Sequence, residues 1–291
     1  MSELLSYIVW APNEVAVHLG SYGVRWYALC WLTGLFLGYL LMKQLYKQQK
    51  MTEAQFDPLF VYIFIGVLVG GRLGHCLFYE PDYFLSSADH FIEMLIPMHH
   101  MADGSWKFTG YQGLASHGGV IGMLIGIWLY CRHTKVGGMV VLDNMGICSG
   151  ITATFIRLGN LMNSEIVGKV TDLPWAFVFV NGSPSIAGEP RHPGQLYEAL
   201  AYACFFVIIL LVYRSKGPKS IGKGLYFGLC LTLIFTFRFF IEYTKEVQEA
   251  FEDALPIDMG QILSIPFIVI GVCSIVHYCK VTRQELTNAK K

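Results

Sequence analysis

Long apolar runs separated by shorter polar segments dominate the 291-residue chain. About 17–25 apolar residues suffice for a helix to cross the hydrocarbon core of a bilayer. Seven runs approach or reach this length, at residues 22–42, 58–79, 117–131, 138–156, 195–213, 222–242 and 259–279. The third is short for a membrane span. The pattern predicts an all-α integral membrane protein, residues 1–291 forming a single membrane domain built as a seven-transmembrane-helix bundle.

Two connecting segments, residues 80–116 and 166–194, are much longer than the others and are rich in Pro, Gly, Asp, Ser and aromatic residues. Loops of this length are usually functional or carry short structure of their own. Neither is charged enough to be disordered. We therefore expect the first to form an arm and the second a small head, both on the outer face of the membrane.

The distribution of basic residues predicts the orientation. The chain is 54% hydrophobic and 14% charged, and its formal net charge is zero. The loops after the first, third, fifth and seventh runs nevertheless carry thirteen Lys and Arg, whereas the opposite side carries five. Basic loops stay in the cytoplasm, so the N-terminus is expected outside and the C-terminus inside. The first twenty residues lack the features of a cleaved signal peptide, so we expect the first span to be retained.

Cysteines and histidines give no sign of a metal centre. All eight cysteines lie in or beside apolar runs without a CxxC pair, and a buried cysteine usually behaves as a small hydrophobic residue. The nine histidines show no HExxH or similar ligand spacing. The sequence therefore predicts no metal and no cofactor, and nothing in it suggests a nucleic-acid partner.

Residues 156–165 place Arg157, Asn160, Asn163 and Glu165 at the end of the fourth apolar run. Charged groups inside a membrane are costly and usually face a protein interior or a water-filled cavity. Arg157 and Asn160 are three positions apart, so a helix puts both on one face. We expect them to converge on one ligand, which their chemistry indicates is anionic.

Further polar residues fall at the same level of the predicted bundle. They are Tyr27, Arg72, His117, Arg191, His192, Gln195, Glu198, Arg238, Glu242 and Gln261. Taken singly, several have an ordinary structural explanation. Arg72 could bond backbone carbonyls, and Arg238 with Glu242 could be an ion pair four residues apart. Their convergence on one side of the membrane favours a shared site.

Four motifs occur in order along these spans: His117-Gly118-Gly119; Arg157-Leu158-Gly159-Asn160 continuing to Asn163-Ser164-Glu165 and Gly168; Arg191-His192-Pro193 with Gln195-Leu196-Tyr197-Glu198; and Met259-Gly260-Gln261-Ile262-Leu263-Ser264-Ile265-Pro266. Together they resemble the bacterial phosphatidylglycerol–prolipoprotein diacylglyceryl transferases over most of the chain. The resemblance implies an enzyme of the inner membrane. It would transfer diacylglyceryl from phosphatidylglycerol to the lipobox cysteine of a preprolipoprotein, leaving a thioether and glycerol phosphate.

The resemblance also implies roles for individual residues. Arg157 and Arg238 would bind the phosphate, for which arginine is well suited. A thiol with an ordinary pKa of about 8.5 needs help to ionise, and histidine titrates near neutral pH, so His117 is the expected base. An alternative is that His117 orients the phosphate. The expected catalytic residues are Tyr27, His117, Arg157 and Arg238; the expected substrate-binding residues are Arg157, Asn160, Glu165, Gly168, Glu242 and Gln261.

One position departs from the family pattern. Family members often have a tyrosine one helical turn before the arginine of the sixth span, where this chain has Ile234. If that tyrosine positions the lipid or activates the thiol, another group must replace it. Tyr27 and Tyr243 are the candidates.

Two other classes of protein fit parts of the pattern. A transporter or flippase for an anionic lipid would also need an arginine-lined cavity, but with access from both leaflets, whereas the polar residues here concentrate on one side. A receptor with seven spans and an outer N-terminus would not need the combination of His, Arg, Asn and Glu. Formation of product from the donor lipid distinguishes the transferase from both.

Overall fold

The computed structural model describes residues 7–20, 22–101, 104–108, 110, 113–184, 186–246 and 257–289. Residues 102–103, 109 and 111–112 of the predicted arm, 185 of the predicted head, and the basic residues Lys290 and Lys291 lie outside this description. In chain order the elements are β1 Ile8–Trp10, β2 Val15–Leu19, β3 Tyr22–Arg25, α1 Trp26–Gln48, α2 Glu53–Phe78, α3 Pro81–Phe84, α4 Ala88–Leu95, β4 Met98–His100, β5 Trp106–Phe108, α5 Ser116–Thr134, α6 Gly138–Met162, β6 Phe177–Phe179, β7 Pro190–Arg191, α7 Gly194–Lys216, α8 Leu225–Ile241 and α9 Met259–Asn288.

Six of the described helices are long and apolar enough to cross a membrane: α1, α2, α6, α7, α8 and α9. This confirms the prediction of a mainly helical integral membrane protein, but the count of seven spans is not confirmed. The third predicted span, 117–131, does form a helix, α5. Its 19 residues include polar side chains at both ends, Ser116 and His117 at the start and Arg132 and His133 at the end, and these lower its hydropathy.

The first predicted span, 22–42, is wrong at its start. Residues 22–25 form β3, which pairs antiparallel with β2, and helix α1 begins only at Trp26 and continues to Gln48. Short apolar runs do not distinguish a strand from the beginning of a helix. The shift places Tyr27 in the first turn of α1.

The chain forms two compact units, residues 1–49 with 142–291 and residues 50–141. In the first unit, buried side chains of α1, α6, α7, α8 and α9 form one core, made of Leu45, Ile147, Cys148, Ile209, Tyr213, Leu225, Tyr226, Cys230 and Tyr278. Helices α8 and α9 approach closely, because a Cβ atom on Gly228 would lie 2.7 Å from the carbonyl oxygen of Gly271. This core lies at the ends of α7 and α8 that are opposite to Glu198 and Arg238.

A small sheet in the first unit contains three strands in the order β1-β6-β7, with β1 parallel and β7 antiparallel to β6. Two of them come from the segment predicted as a head, whereas β1 comes from the N-terminal segment, for which the sequence suggested no role. The indole Nε1 of Trp10 in β1 donates to the carbonyl of Leu161 at 2.9 Å. The sheet is thereby attached to the end of α6.

In the second unit, α2 and α5 pack through glycines. A Cβ on Gly70 would lie 2.7 Å from the Cα of Gly122, and one on Gly74 would lie 2.8 Å from the Cα of Gly118. Such small residues at fixed spacing allow membrane helices to approach closely. The interpretation of these glycines as packing positions is confirmed.

Arg72 has a structural role in the second unit. Its Nη2 donates to the carbonyl of Glu93 at 2.8 Å and its Nε to that of Met94 at 3.4 Å, in the last turn of α4. Carbonyls at a helix C-terminus lack partners within the helix and attract cations. The guanidinium also lies over the ring of Phe84, 4.8 Å from its centroid. The carbonyl-bonding interpretation of Arg72 is therefore confirmed.

The carboxylate of Glu93 organises the segment around α4. It accepts hydrogen bonds from the backbone N–H of His100 at 2.6 Å, the hydroxyl of Tyr83 at 2.9 Å and the ring of His99 at 3.0 Å. Burial acts to raise the pKa of Glu93, but these three hydrogen bonds outweigh it and lower the pKa. Burial and the bond to Glu93 raise the pKa of Tyr83 to about 12.

In the first unit, Asp143 of α6 caps the start of α8. Its fully buried carboxylate accepts five backbone N–H groups, three on Oδ2 and two on Oδ1, at 2.9–3.1 Å. The donors are Gly222, Lys223, Gly224, Tyr226 and Phe227. The first N–H groups of a helix have no partners within that helix. The carboxylate of Asp143 therefore satisfies most of the free N–H groups at the start of α8.

Replacing Asp143 with Asn should destabilise the protein. The amide keeps one acceptor oxygen but replaces the other with a donor that faces N–H groups. We expect the free energy of unfolding to fall by about 3 kcal/mol or more, because each hydrogen bond to a charged group contributes about 1.5–3 kcal/mol. Thermal unfolding in detergent measures this. Asp57→Asn, at an exposed position of α2, is the matched control, and equal transitions for the two variants would contradict the capping role.

Candidate functional site

A buried carboxylate, that of Glu198 in α7, bridges two cations from other parts of the first unit. Its Oε2 lies 2.9 Å from Nε of Arg157 in α6, and its Oε1 lies 3.1 Å from Nζ of Lys245, just after α8. The Glu198 side chain is fully buried, and those of Lys245 and Arg157 are 6% and 17% exposed. A buried charge without a partner is strongly destabilising, so these three groups depend on one another.

A residue of the same helix, α6, also holds Arg157 in place. Its Nη1 donates to Oδ1 of Asn160 at 3.3 Å, and Nδ2 of Asn160 donates to Oε1 of Glu165 at 2.7 Å. The expectation that Arg157 and Asn160 share one helix face is confirmed by this contact. A row of side chains thus runs from Glu198 through Arg157 and Asn160 to Glu165.

The chain reverses after α6 so that Glu165 can reach Asn160. The backbone N–H of Glu165 donates to the carbonyl of Asn160 at 3.2 Å, and that of Ser164 donates to the carbonyl of Leu161 at 3.1 Å. This pair of bonds is the Schellman arrangement, in which the residue after the helix adopts a left-handed conformation. Here that residue is Ser164, with φ of 52°.

Tyr27, a predicted catalytic residue, lies beside this part of α6. A Cβ on Gly159 would be 3.1 Å from Cδ2 of Tyr27 and 3.4 Å from its carbonyl oxygen. Gly159 therefore lets α1 approach α6 between Arg157 and Asn160. The side chain of Tyr27 is half-buried there.

Gly168, predicted to bind substrate, has a packing role in the structure. A Cβ at this position would lie 2.6 Å from both the carbonyl oxygen of Thr244 and the Cβ of His192. Its backbone N–H donates to the carbonyl of His192 at 2.9 Å, and that of Lys169 donates to Thr244 at 2.7 Å. The segment thereby joins the start of α7 to the end of α8.

Glu242 pairs with Lys245, with Oε2 and Nζ 3.2 Å apart. The alternative interpretation of Glu242 as the ion-pair partner of Arg238 is therefore wrong. A Cβ on Gly260 would lie 2.5 Å from the carboxyl carbon of Glu242, so this glycine leaves space for the carboxylate in the first turn of α9. A helix N-terminus favours a negative charge.

Gln261 uses both ends of its amide within the protein. Its Oε1 accepts from the backbone N–H of Asp258 at 3.2 Å, and its Nε2 donates to the carbonyl of Phe239 at 3.0 Å. The first bond belongs to a capping box at the start of α9. Gln261, predicted to bind substrate, thus connects α9 to the end of α8.

Arg238 of α8 is half-buried and forms no salt bridge or hydrogen bond with the residues that the structure describes. Its charge and that of Arg157 both act on the hydroxyl of Tyr202, which donates to Oε1 of Glu198 at 3.4 Å. Tyr202 thus supplies a phenol near both arginines. Ile234, which stands where the family often has tyrosine, packs against the hydrophobic core.

His117, the predicted base, lies in the second unit. It is the second residue of α5, and its side chain is exposed. The next residue, Gly118, packs against α2. Among the predicted site residues of the first unit, direct contacts join Arg157, Asn160 and Glu165, and Glu242 is connected to them through Lys245 and Glu198. Tyr27 packs against Gly159 of α6, and the charge of Arg238 acts on the hydroxyl of Tyr202.

Sequence reasoning missed three residues of the site. Glu198 was expected at the level of the site but was given no role, Lys245 was counted only as a basic residue of the outer side, and Tyr202 was not considered. Helical spacing carried a signal for two of them, because Tyr202 follows Glu198 by four residues and Lys245 follows Glu242 by three. No local spacing connects Glu198 with Lys245, whose contact spans 47 residues.

This arrangement is suited to binding an anion. Two guanidinium groups and an amide lie in a largely water-excluded region, where charge-assisted hydrogen bonds are strong. Glu198 and Asn160 fix Arg157 before any ligand arrives. Within the described residues, no group of three or more His, Cys, Asp or Glu could hold a metal ion.

Replacing Glu198 with Gln should weaken both stability and the geometry of the site. The amide removes the negative charge that compensates Arg157 and Lys245, and breaking a buried ion pair costs about 3–5 kcal/mol. We expect a lower unfolding temperature in detergent. Glu53→Gln, at an exposed position in the first turn of α2, is the control. Combining Glu198→Gln with Arg157→Met, which removes the cation left without its carboxylate, should recover part of the loss. A double variant less stable than the single one would contradict the pairing of Arg157 with Glu198.

Comparison with known proteins identifies similar sequences over nearly the whole chain. The family model described as prolipoprotein diacylglyceryl transferase matches residues 14–277. A protein of Bacteroides fragilis is 50% identical over 280 residues, covering 96% of this chain and 98% of its own. One of Tolumonas auensis is 43% identical, covering 91% and 95%, and one of Porphyromonas gingivalis is 38% identical, covering 95% and 96%. All three are named phosphatidylglycerol–prolipoprotein diacylglyceryl transferase.

Proposed function

Since the chain belongs to the prolipoprotein diacylglyceryl transferase family, we propose that it transfers the diacylglyceryl group of phosphatidylglycerol to the lipobox cysteine of preprolipoproteins. It is a transferase and a multi-pass membrane protein. The observation that carries the proposal is the buried, pre-positioned Arg157, held by Glu198 and Asn160. The reaction is the first step of lipoprotein maturation.

The anion at this site is the phosphate of the donor lipid. Arg157 offers a rigid guanidinium, and Arg238 is a second cation without a salt bridge among the described residues. Arginine binds phosphate oxygens in a bidentate manner that lysine cannot reproduce. The headgroup of phosphatidylglycerol carries one such charge.

The reaction forms a bond between the cysteine sulfur and the terminal glyceryl carbon of the donor, while the bond from that carbon to the phosphate oxygen breaks. The electron pair leaves with glycerol phosphate, so negative charge builds on the departing oxygen. Arg157, Arg238 and the Asn160 amide stabilise this charge in the transition state. The thiol proton goes to a general base, and we propose His117 for this role because histidine is the side chain that most often acts as a general base in enzymes.

The remaining members of the site position these groups. Glu198 holds Arg157 on one side, and Lys245 balances the charge of Glu198 and Glu242. Family members often have a tyrosine at the position of Ile234. Here the hydroxyl of Tyr202, on which the charges of both arginines act, takes the place of that tyrosine hydroxyl. Tyr27 packs against Gly159, within the same last turns of α6 that carry Arg157 and Asn160.

The length of α5 and the distribution of basic loops also support a proposal for how the protein lies in the bacterial inner membrane. We take α5 as the seventh span, because its 19 residues are about 28 Å long and the hydrocarbon core is about 30 Å thick. It packs along the full-length span α2. The basic loops put the C-terminus in the cytoplasm and the arm, the head and Arg157 towards the outer leaflet.

A fluorescent protein fused to the C-terminus tests this orientation. It should fold and fluoresce only if that end is cytoplasmic, whereas alkaline phosphatase at the same position should be inactive. The reverse pattern would contradict the proposed topology. A tandem fusion that adds one spanning helix before each reporter should exchange the two signals.

A transporter for an anionic lipid is the less favoured alternative. All three relatives described above carry a transferase name. The described cluster of charges is also tied to one end of helices α6, α7 and α8 rather than distributed along them.

The proposal is tested with purified protein, phosphatidylglycerol and a lipobox peptide. Peptide mass gain and release of glycerol phosphate should occur together, and only when the peptide contains Cys instead of Ser. Arg157→Ala and Arg238→Ala should each lower kcat/KM at least about 100-fold, the usual effect of removing a group that stabilises transition-state charge. Arg157→Lys should not restore activity, because it loses the bidentate geometry.

Arg283→Ala, at an exposed position near the end of α9, is the matched control and should leave kcat/KM unchanged. Thermal unfolding of each variant separates lost chemistry from lost structure. Full activity of Arg157→Ala would contradict the phosphate assignment, and absence of any coupled product from the folded parent protein would contradict the transferase proposal.

A further inference from the structure

A polar cavity lies in the first unit, where the loop after α6 meets the head segment and the end of α8. Its volume is about 370 Å³, within the range of pockets that bind small ligands. It is lined by Asn163, Ser164, Glu165, Ile166, Val167, Ser183, Ile186, Lys245 and Glu246. The roles proposed above leave this cavity without a ligand.

Ser164 lines the cavity and is 3% exposed. Its hydroxyl has no hydrogen-bond partner among the residues that the structure describes. Leaving a buried polar group unpaired costs about 1–3 kcal/mol, and such groups are rare in folded proteins. Rotation about one side-chain bond turns a serine hydroxyl towards a ligand, which would recover that cost.

The backbone at Ser164 supports the same interpretation. The residue has φ of 52° and follows α6 in the Schellman position, which strongly favours glycine. The side chain of Ser164 makes no capping hydrogen bond. Its Cβ also makes the left-handed backbone conformation less favourable than it would be for glycine. A side chain at a position better suited to glycine, with no partner in the protein, indicates that the hydroxyl serves a ligand.

The chemistry of the lining suits a neutral molecule with several hydroxyl groups. Oδ1 of Asn163 is a second buried acceptor without a partner among the described residues. Glu165 and Glu246 add carboxylates, Lys245 adds an ammonium group, and serine both donates and accepts. Two carboxylates disfavour a second anion, whereas alternating donors and acceptors match the hydroxyls of a diol.

The cavity is connected to the proposed phosphate site by direct contacts. Glu165, which lines it, accepts from Asn160 at 2.7 Å, and Asn160 accepts from Arg157 at 3.3 Å. Lys245, which also lines it, lies 3.1 Å from the carboxylate of Glu198 that holds Arg157 from the other side. A headgroup whose phosphate rests on Arg157 can therefore extend its terminal part towards this cavity.

We infer that this cavity binds the terminal glycerol of the donor headgroup and that Ser164 selects for its hydroxyls. The inference rests on the proposed function, because it assigns a subsite to the same donor lipid. Asn163 and Glu165 accept hydrogen bonds from the diol, and Ser164 completes the set. The subsite favours a lipid with a diol headgroup over one of equal length without hydroxyls.

Two donors that differ only in those hydroxyls test the inference: phosphatidylglycerol and phosphatidylpropanol with the same acyl chains. The test variant is Ser164→Gly, which removes the hydroxyl and relieves the left-handed backbone. We expect kcat/KM to fall roughly three- to tenfold with phosphatidylglycerol, the effect of one hydrogen bond, and to stay unchanged with phosphatidylpropanol. The unfolding temperature should not decrease.

Lys135→Gly is the matched control, because Lys135 also has a left-handed backbone, with φ of 62°, but is exposed at the end of α5. It should leave the ratio of the two kcat/KM values unchanged. An equal loss of activity of Ser164→Gly on both donors, no loss on either, or a change confined to the KM of the peptide would each overturn the inference.

A binding measurement separates failure of this inference from failure of the proposed function. Calorimetric titration of the parent protein and of Ser164→Gly with short-chain forms of both lipids needs no turnover. Tighter binding of the diol lipid by the parent, lost in Ser164→Gly, would support the subsite even if no peptide were modified. Equal binding of the two lipids by the parent would overturn it even if transfer were observed.

Discussion

The ionic bridge from Arg157 through Glu198 to Lys245 is the constraint on which the site depends. Three charges have left water there, and the single carboxylate of Glu198 compensates the desolvation cost of both cations. Because the three residues belong to α6, α7 and the end of α8, the bridge also fixes the relative position of these elements. Arg157 is therefore held in place by the protein instead of by its ligand, which is how an enzyme stabilises developing charge without reorganising during the reaction.

Glycines make this bridge possible by removing the side chains that would keep its parts apart. Gly159 admits Tyr27 against the end of α6, Gly168 joins the start of α7 to the end of α8, and Gly260 leaves space for Glu242. Each of these glycines stands within or close to a motif that the sequence suggested for binding. The motif residues are thus of two kinds, those that can meet a ligand and those that allow the others to converge, and both are equally necessary to the site.

The apolar runs predicted most of the helices, because length and hydropathy are local properties of a sequence. They were wrong where the local pattern is ambiguous, because residues 22–25 form a strand. They also left the seventh span unconfirmed, because α5 has polar residues at both ends and is not among the six helices that are apolar enough to span a membrane. Helical spacing likewise predicted the contact of Arg157 with Asn160. The contact of Glu198 with Lys245 was beyond such reasoning, since it arises only when α7 and the end of α8 pack together.

The bonding state of each polar group then separates structural roles from functional ones. Gln261 uses both ends of its amide, and Asp143 uses both carboxylate oxygens, so both side chains are engaged in joining helices. Arg238 and the hydroxyl of Ser164, in contrast, have no hydrogen-bond partner in the described part of the chain although both are at least half-buried. Burying polar groups without partners is unfavourable unless a ligand completes their bonding. Under the two proposals made above, a ligand that carries both an anion and neutral hydroxyls would supply the hydrogen bonds that these groups do not make within the protein.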